Sequence, residues 1–131
     1  QVAPIVADEQ PIADPLNDPD SLLAQRSIFF DYDSFTIDDQ YREIVEAHAR
    51  YLVENPGRTV VLQGNTDERG SREYNLALGQ KRAEAVRRAM AVLGVNEAQV
   101  EAVSFGEERP RAISQNEDAY AENRRTDMVY Q

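Results

Sequence analysis

The chain has 131 residues, with 24 acidic against 14 basic side chains and a formal net charge of −10 at neutral pH. That length suits one domain with a real core, and the acidic balance argues against nucleic acid and against electrostatic adsorption to anionic lipid headgroups. The absence of cysteine removes disulfides, thiolate metal ligands and cysteine nucleophiles together, while no apolar run nears the ~20 residues of a membrane-spanning helix and no signal-peptide pattern opens the sequence.

Residues 1–26 hold Pro4, Pro11, Pro15 and Pro19 among Asp and Asn, without a sustained period of 2 or 3.6. They read as an extended acidic linker, with the folded domain spanning residues 27–131. "SIFFDYD" from Ser27 is aromatic and β-branched, bounded by Asp, and predicts a first strand. Thr36 with Asp39 offers a capping-box-like helix start. The helix that follows places Tyr41, Ile44, Val45, His48 and Leu52 on one face and stops at "NPG". Thr59 to Gln63 predicts a second strand. From Ser71 a longer helix carries Leu76, Ala83, Val86, Met90 and Leu93 at steps of three and four, ending at Gly94. "VEAVSF" predicts a third strand, residues 117–122 a short helix and "TDMVY" a closing strand. The order β-α-β-α-β-(α)-β predicts an α/β (α+β) two-layer sandwich, with helices packed on a four-stranded mixed sheet.

The chemistry concentrates in "GNTDERGSREYNLALGQKRAEAV", residues 64–86. A phosphate cradle fails on spacing: Gly64, Gly70 and Gly79 form neither GxGxxG nor GxxxxGK[ST], and Asp67 and Glu68 would repel a phosphate. Asp31, Asp33, Asp67 and Glu68 are candidate paired carboxylates for acid/base work, but carboxylates are abundant throughout this chain and most cap helices or face water. His48, the single histidine, lies on the apolar stripe without a partner at metal-ligand spacing, and Ser71 and Ser104 have no visible base. An enzyme is not expected, nor any catalytic residue, cofactor or metal.

Asp67 stands where the second strand hands over to the second helix, at the ligand-binding end of an open α/β sheet. Asn75, Leu78 and Arg82 share one face of that helix. Two readings stay open on spacing. One is a structural ion pair, Asp67 with Arg82 or with Arg69. The other is a clamp for a zwitterion, with Asp67 taking an ammonium and Arg82 a carboxylate.

"SIFFDYDSFTI", "EAHARYLVENP", "GNTDERGSREYNLALGQKRAEAVRRAM", "VSFGEERP" and "YAENRRTDMVY" resemble, in this order, the OmpA-like C-terminal domain family. Within it, "TDERG", "EYNLALGQKRA" and "NRR" resemble the peptidoglycan-associated lipoprotein branch more than the porin-attached or flagellar-stator branches. The resemblance covers residues 27–131, and Asn65 departs from the "GH" of many relatives. It implies noncovalent binding of peptidoglycan peptide stems through meso-diaminopimelate, whose free end is an ammonium and a carboxylate on one carbon. By motif, Asp67 and Arg82 would grip that end, with Tyr32, Asp33 and Arg69 as further contacts and Leu78 as apolar contact. Thr66 and Asn75 would fix the loop, and Asn123, Arg124 and Arg125 would support it. The resemblance also implies a lipid anchor on a cysteine preceding this chain, with residues 1–26 as tether, and a place at the periplasmic face of the outer membrane. It implies TolB and other Tol–Pal or OmpA-type envelope proteins as partners. A module devoted chiefly to TolB, or a cell-wall hydrolase, are the alternatives.

Overall fold

The computed structural model describes residues 14–131. Its elements are β1 (Ser27–Phe29), α1 (Arg42–Glu54), β2 (Val60–Asn65), α2 (Arg72–Val92), β3 (Val100–Gly106), α3 (Glu117–Asn123) and β4 (Arg125–Tyr130). The sheet order is β1-β4-β2-β3, with β2 and β3 parallel and β4 antiparallel to both β1 and β2. The expected mixed four-stranded sheet with packed helices is therefore the architecture found. A parallel pair needs a crossover, and α2 supplies it.

Strand alternation sets the layers. Ile28, Val60, Leu62, Val100 and Met128 are buried, whereas Glu101 and Val129 are exposed. Against the buried face, α1 packs Ile44, Val45, His48, Ala49, Tyr51 and Leu52, and α2 packs Ala83, Val86 and Met90. Ser71 caps α2 by accepting from the Tyr74 amide, and Gly94, with φ of 101°, lets the chain leave the helix in a left-handed turn. No helix among the described residues is long and apolar enough to cross a membrane.

Four expectations change. First, α1 is entered through a 3-10 turn at Asp39–Tyr41 capped by Asp38, not by Thr36, because the Asp38 carboxylate accepts from the Gln40 amide. Second, β2 runs on to Asn65, paired with β4 as far as Arg125. Third, Leu76 and Leu93 are exposed, and the buried face of α2 instead carries Asn75, Leu78, Gly79 and Arg82. Fourth, the expected linker ends earlier than residue 26. Short 3-10 turns at Pro15–Asn17 and Leu22–Ala24 put Leu16 and Leu23 into the core, and Asp14 accepts from Tyr51 and Arg58. Residues 1–13 of that stretch lie outside the described residues.

Candidate functional site

Three chain segments converge at the C-terminal end of β2: the loop after β1, the turn from β2 into α2, and the start of α2. Between them lies a cleft of about 50 Å³ lined by Tyr32, Asp33, Asp67, Arg69, Leu78 and Arg82 together with Thr66, Gly70, Tyr74 and Asn75. All six residues expected to touch a ligand thus meet in one place.

The turn is held by its own polar groups. The Thr66 amide donates to Gly106 O at 2.9 Å and its hydroxyl to Asp67 O at 2.9 Å. Asn75 Nδ2 donates to Asp67 O at 3.3 Å and to Glu107 Oε1 at 2.7 Å. Asp67 is thereby presented at the bottom of the cleft, 5% exposed. Its Oδ1 accepts from the Arg69 amide and Nε at 2.9 and 3.2 Å, and its Oδ2 from Arg69 Nη2 at 2.8 Å. Arg124 Nη1 stands 3.6 Å from the same Oδ2. Burial alone would push this carboxyl up, but the Arg69 hydrogen bonds and the Arg69 and Arg124 charges outweigh it and hold the group below the usual carboxylate value.

Arg82 is fully buried and reaches into the cleft from α2. Its Nε donates to Ser34 O at 2.7 Å, Nη1 to Asn65 O at 3.0 Å and Nη2 to Asp31 O at 3.1 Å. A guanidinium carries five N–H groups, so one on each terminal nitrogen is left for a ligand. Burial first, and the Arg124 charge next, lower its pKa to about 10, which leaves it cationic at neutral pH. Three carbonyl acceptors favour that charged form. The ion pair that forms is therefore Asp67 with Arg69, and Arg82 opposes Asp67 across the cleft while bonded to backbone.

The rim is aromatic. The Arg69 guanidinium lies 4.4 Å from the ring centres of both Tyr32 and Tyr120. Asp33 takes a positive φ of 56°, unusual for a residue with a side chain, and its carboxylate accepts from the Tyr74 hydroxyl. Leu78, buried one turn before Arg82, forms the apolar wall.

The "NRR" residues separate. Arg124 joins the cleft network, donating from Nε to Phe30 O at 2.9 Å and from Nη2 to Glu117 Oε2 at 3.0 Å. Asn123 instead fixes the loop before α3, accepting from the Arg111 and Ala112 amides. Arg125 shares the strand face of Asp127, to which it donates, away from the cleft. Of the candidate paired carboxylates, Asp33, Asp67 and Glu68 each engage a different donor, Tyr74, Arg69 and Tyr120. His48 is fully buried and satisfied by Tyr130 and the Gln25 carbonyl. Two lining residues, Gly70 and Tyr74, and two residues against Arg69, Glu117 and Tyr120, were not foreseen. Tyr74 lies four residues before Leu78 and eight before Arg82, so helical spacing was a usable signal. Glu117 and Tyr120 come from α3 and are joined to the cleft only by tertiary packing.

A larger hollow lies elsewhere on the domain. Of about 320 Å³, between the start of α1 and the end of α2, it is lined largely by apolar groups, and its Asp38, Asp39, Arg42 and Glu46 are exposed. Fold and cleft together define a small open α/β domain with opposed charges at the end of a parallel β-α-β unit. The model of the OmpA family matches residues 29–124. The peptidoglycan-associated lipoprotein of Pasteurella multocida is 46% identical over 110 residues, covering 82% of this chain and 73% of that one. That of Pseudomonas putida is 46% identical over 113 residues, covering 86% and 68%. The crystal structure of the peptidoglycan-associated lipoprotein from Burkholderia pseudomallei, 60% identical, superposes with a TM-score of 0.89 over 89% of this chain and 99% of that one. The C-terminal domain of Helicobacter pylori MotB, at 20% identity and a TM-score of 0.73, shares the fold. The chain belongs to the OmpA family, among the peptidoglycan-associated lipoproteins.

Proposed function

We propose that the protein binds peptidoglycan noncovalently through the meso-diaminopimelate of its peptide stems, tethering the outer membrane to the cell wall from the periplasmic side without catalysing a reaction. The observation that carries this reading is Asp67 facing Arg82 across one cleft, a carboxylate and a guanidinium that retains two N–H groups. An ammonium and a carboxylate on one carbon match that pair, and charge-assisted bonds to two buried groups are the strong kind. The names of the relatives support the wall as the target. The reading includes TolB of the Tol–Pal system as a protein partner at the same face.

The test is retention on purified sacculi of the diaminopimelate type. Asp67→Asn, which keeps size and removes charge, and Arg82→Lys, which keeps charge and removes the fork, are each expected to lose on the order of 2–5 kcal/mol of binding. Retention of both variants at the wild-type level would refute the site, and release of soluble muropeptides would refute the non-enzymatic reading. Competition between TolB and free muropeptide tests the shared face.

A further inference from the structure

Asp67, Arg69, Glu117 and Arg124 form a closed ring of charges in which each guanidinium touches both carboxylates. Arg69 Nη2 is 2.8 Å from Asp67 Oδ2 and 3.7 Å from Glu117 Oε1. Arg124 reaches the same two carboxylates, at 3.6 and 3.0 Å. The carboxylates differ in surroundings: the Asp67 side chain is 6% exposed and that of Glu117 is 66% exposed. The buried Nη1 of Arg124, 3.6 Å from Asp67 Oδ2, has no hydrogen-bond acceptor.

This arrangement creates a conflict for the ligand reading above, on which the present inference rests. An ammonium entering the cleft needs the oxygens of Asp67, and the Arg69 fork already holds both. The Asp67 oxygens already accept three hydrogen bonds from Arg69, two on Oδ1 and one on Oδ2, and Arg124 stands 3.6 Å from Oδ2. Adding an ammonium without moving Arg69 would crowd three cations around one buried carboxylate. Of the two guanidiniums on Asp67, Arg69 is the one able to give way, its side chain 35% exposed against 8% for Arg124. The Tyr32 and Tyr120 rings, each centred 4.4 Å from the Arg69 guanidinium carbon, hold it at the rim by cation–π attraction without fixing it by hydrogen bonds. Its second ion-pair partner is Glu117, 3.7 Å away.

We infer that Glu117 is a positioning residue of the ligand cleft: it receives the Arg69 guanidinium when a ligand ammonium takes Asp67. Glu117 does not touch the ligand. It lowers the cost of clearing Asp67, and it keeps Arg69 stacked at the rim instead of loose in solvent.

A double-mutant cycle tests this, with the soluble stem tripeptide L-alanyl-γ-D-glutamyl-meso-diaminopimelate titrated into the full chain. Glu117→Gln is expected to weaken binding about tenfold, within the range of couplings between contacting charged residues. In an Arg69→Gln background the same substitution is expected to change binding less than twofold, because no guanidinium remains to be moved. The Arg69 Nε–H resonance provides a readout that a merely structural role would not move: tripeptide should shift it strongly in the wild type and weakly in Glu117→Gln. Melting temperatures of the variants check that the fold persists. Equal binding by wild type and Glu117→Gln, or an equal loss in both backgrounds, overturns the inference while leaving the cleft assignment standing. Absence of binding by the wild type itself overturns the proposed function, and this inference with it.

Discussion

Gly64 in β2 and Gly79 in α2 meet backbone to backbone: a Cβ built on Gly64 would lie 1.7 Å from the carbonyl oxygen of Gly79. A Cβ on Gly79 would in turn lie 2.3 Å from Ser104 Oγ and 2.9 Å from Gly64 O. The helix is thus seated directly on the strand, and three residues further on Arg82 reaches Asn65 O, the neighbour of Gly64. The approach that packs α2 also sets the depth of the guanidinium in the cleft.

Gly64→Ala should therefore destabilise the fold by about 3 kcal/mol or more, the upper end for overpacking, because the obstructing atoms are backbone and cannot rotate away. Gly57→Ala, where nothing lies within 4 Å of an added Cβ, is the control. It should change stability by less than about 1 kcal/mol. Urea unfolding of the two variants checks the contrast, and any folded Gly64→Ala should also bind peptidoglycan more weakly as α2 lifts.

Leu23→Ala should cost about 2–5 kcal/mol, the range for removing a buried leucine side chain, since Leu23 is 6% exposed in the core cluster. Its neighbour Leu22, 40% exposed, should cost less than about 1 kcal/mol on the same change. A chain beginning at Ser27 should be less stable still, because it also loses Leu16 and the Gln25 carbonyl that His48 uses. Equal stability for chains beginning at residues 14 and 27 would contradict the packing of this segment.

This segment shows where sequence reading stops. Leu16 and Leu23 stand seven residues apart among Asp and Pro, and two 3-10 turns carry no period that would reveal a buried face. The strands and α1 were readable because alternation and a 3.6-residue stripe report burial directly. On α2 the same rule misassigned Leu76 and Leu93: its buried face is built partly of Asn75, Gly79 and Arg82, chosen for the cleft and for close packing. The motif located the cleft residues, and spacing left the partner of Asp67 open between Arg82 and Arg69. Arg69 rather than Arg82 holds Asp67, because two of its atoms reach the carboxylate within a single turn, while Arg82 is spent on three carbonyls. Glu117, fifty residues from Asp67, carried no local signal at all.

The Asp67 carboxyl should titrate below the ordinary 3.8, with Arg69→Gln raising its midpoint. Burial pushes the group up, and the Arg69 bonds that reverse this would be gone. For a folded-state pKa below the unfolded value, stability from Asp67 is complete above about pH 3.8 and is lost as pH falls through the lower folded value. Carboxyl carbon NMR of the two proteins measures both midpoints. A wild-type midpoint at or above 3.8, or one unmoved by the substitution, would contradict the ion-pair geometry.

His48 makes the opposite end of the molecule sensitive to mild acid. Its Nε2 faces the Gln25 carbonyl at 2.8 Å and must carry the proton, so Nδ1 accepts from the Tyr130 hydroxyl at 2.6 Å. The imidazole is fully buried in its neutral form. Burial, aided by the nearby Arg26 charge and opposed by the Gln25 carbonyl, lowers its pKa from 6.5. The unfolded chain therefore binds the proton more readily than the folded one. The stability that His48 contributes is complete above about pH 6.5 and declines as pH drops from there toward the folded pKa. Denaturant unfolding between pH 8 and pH 5 should show a plateau and then a fall, and the fall between about 6.5 and 5 should flatten in His48→Gln. Glutamine offers an N–H donor and an oxygen acceptor without a charge to gain, so a less stable but still folded variant remains informative. An unchanged slope in that variant would place the acid sensitivity on other groups.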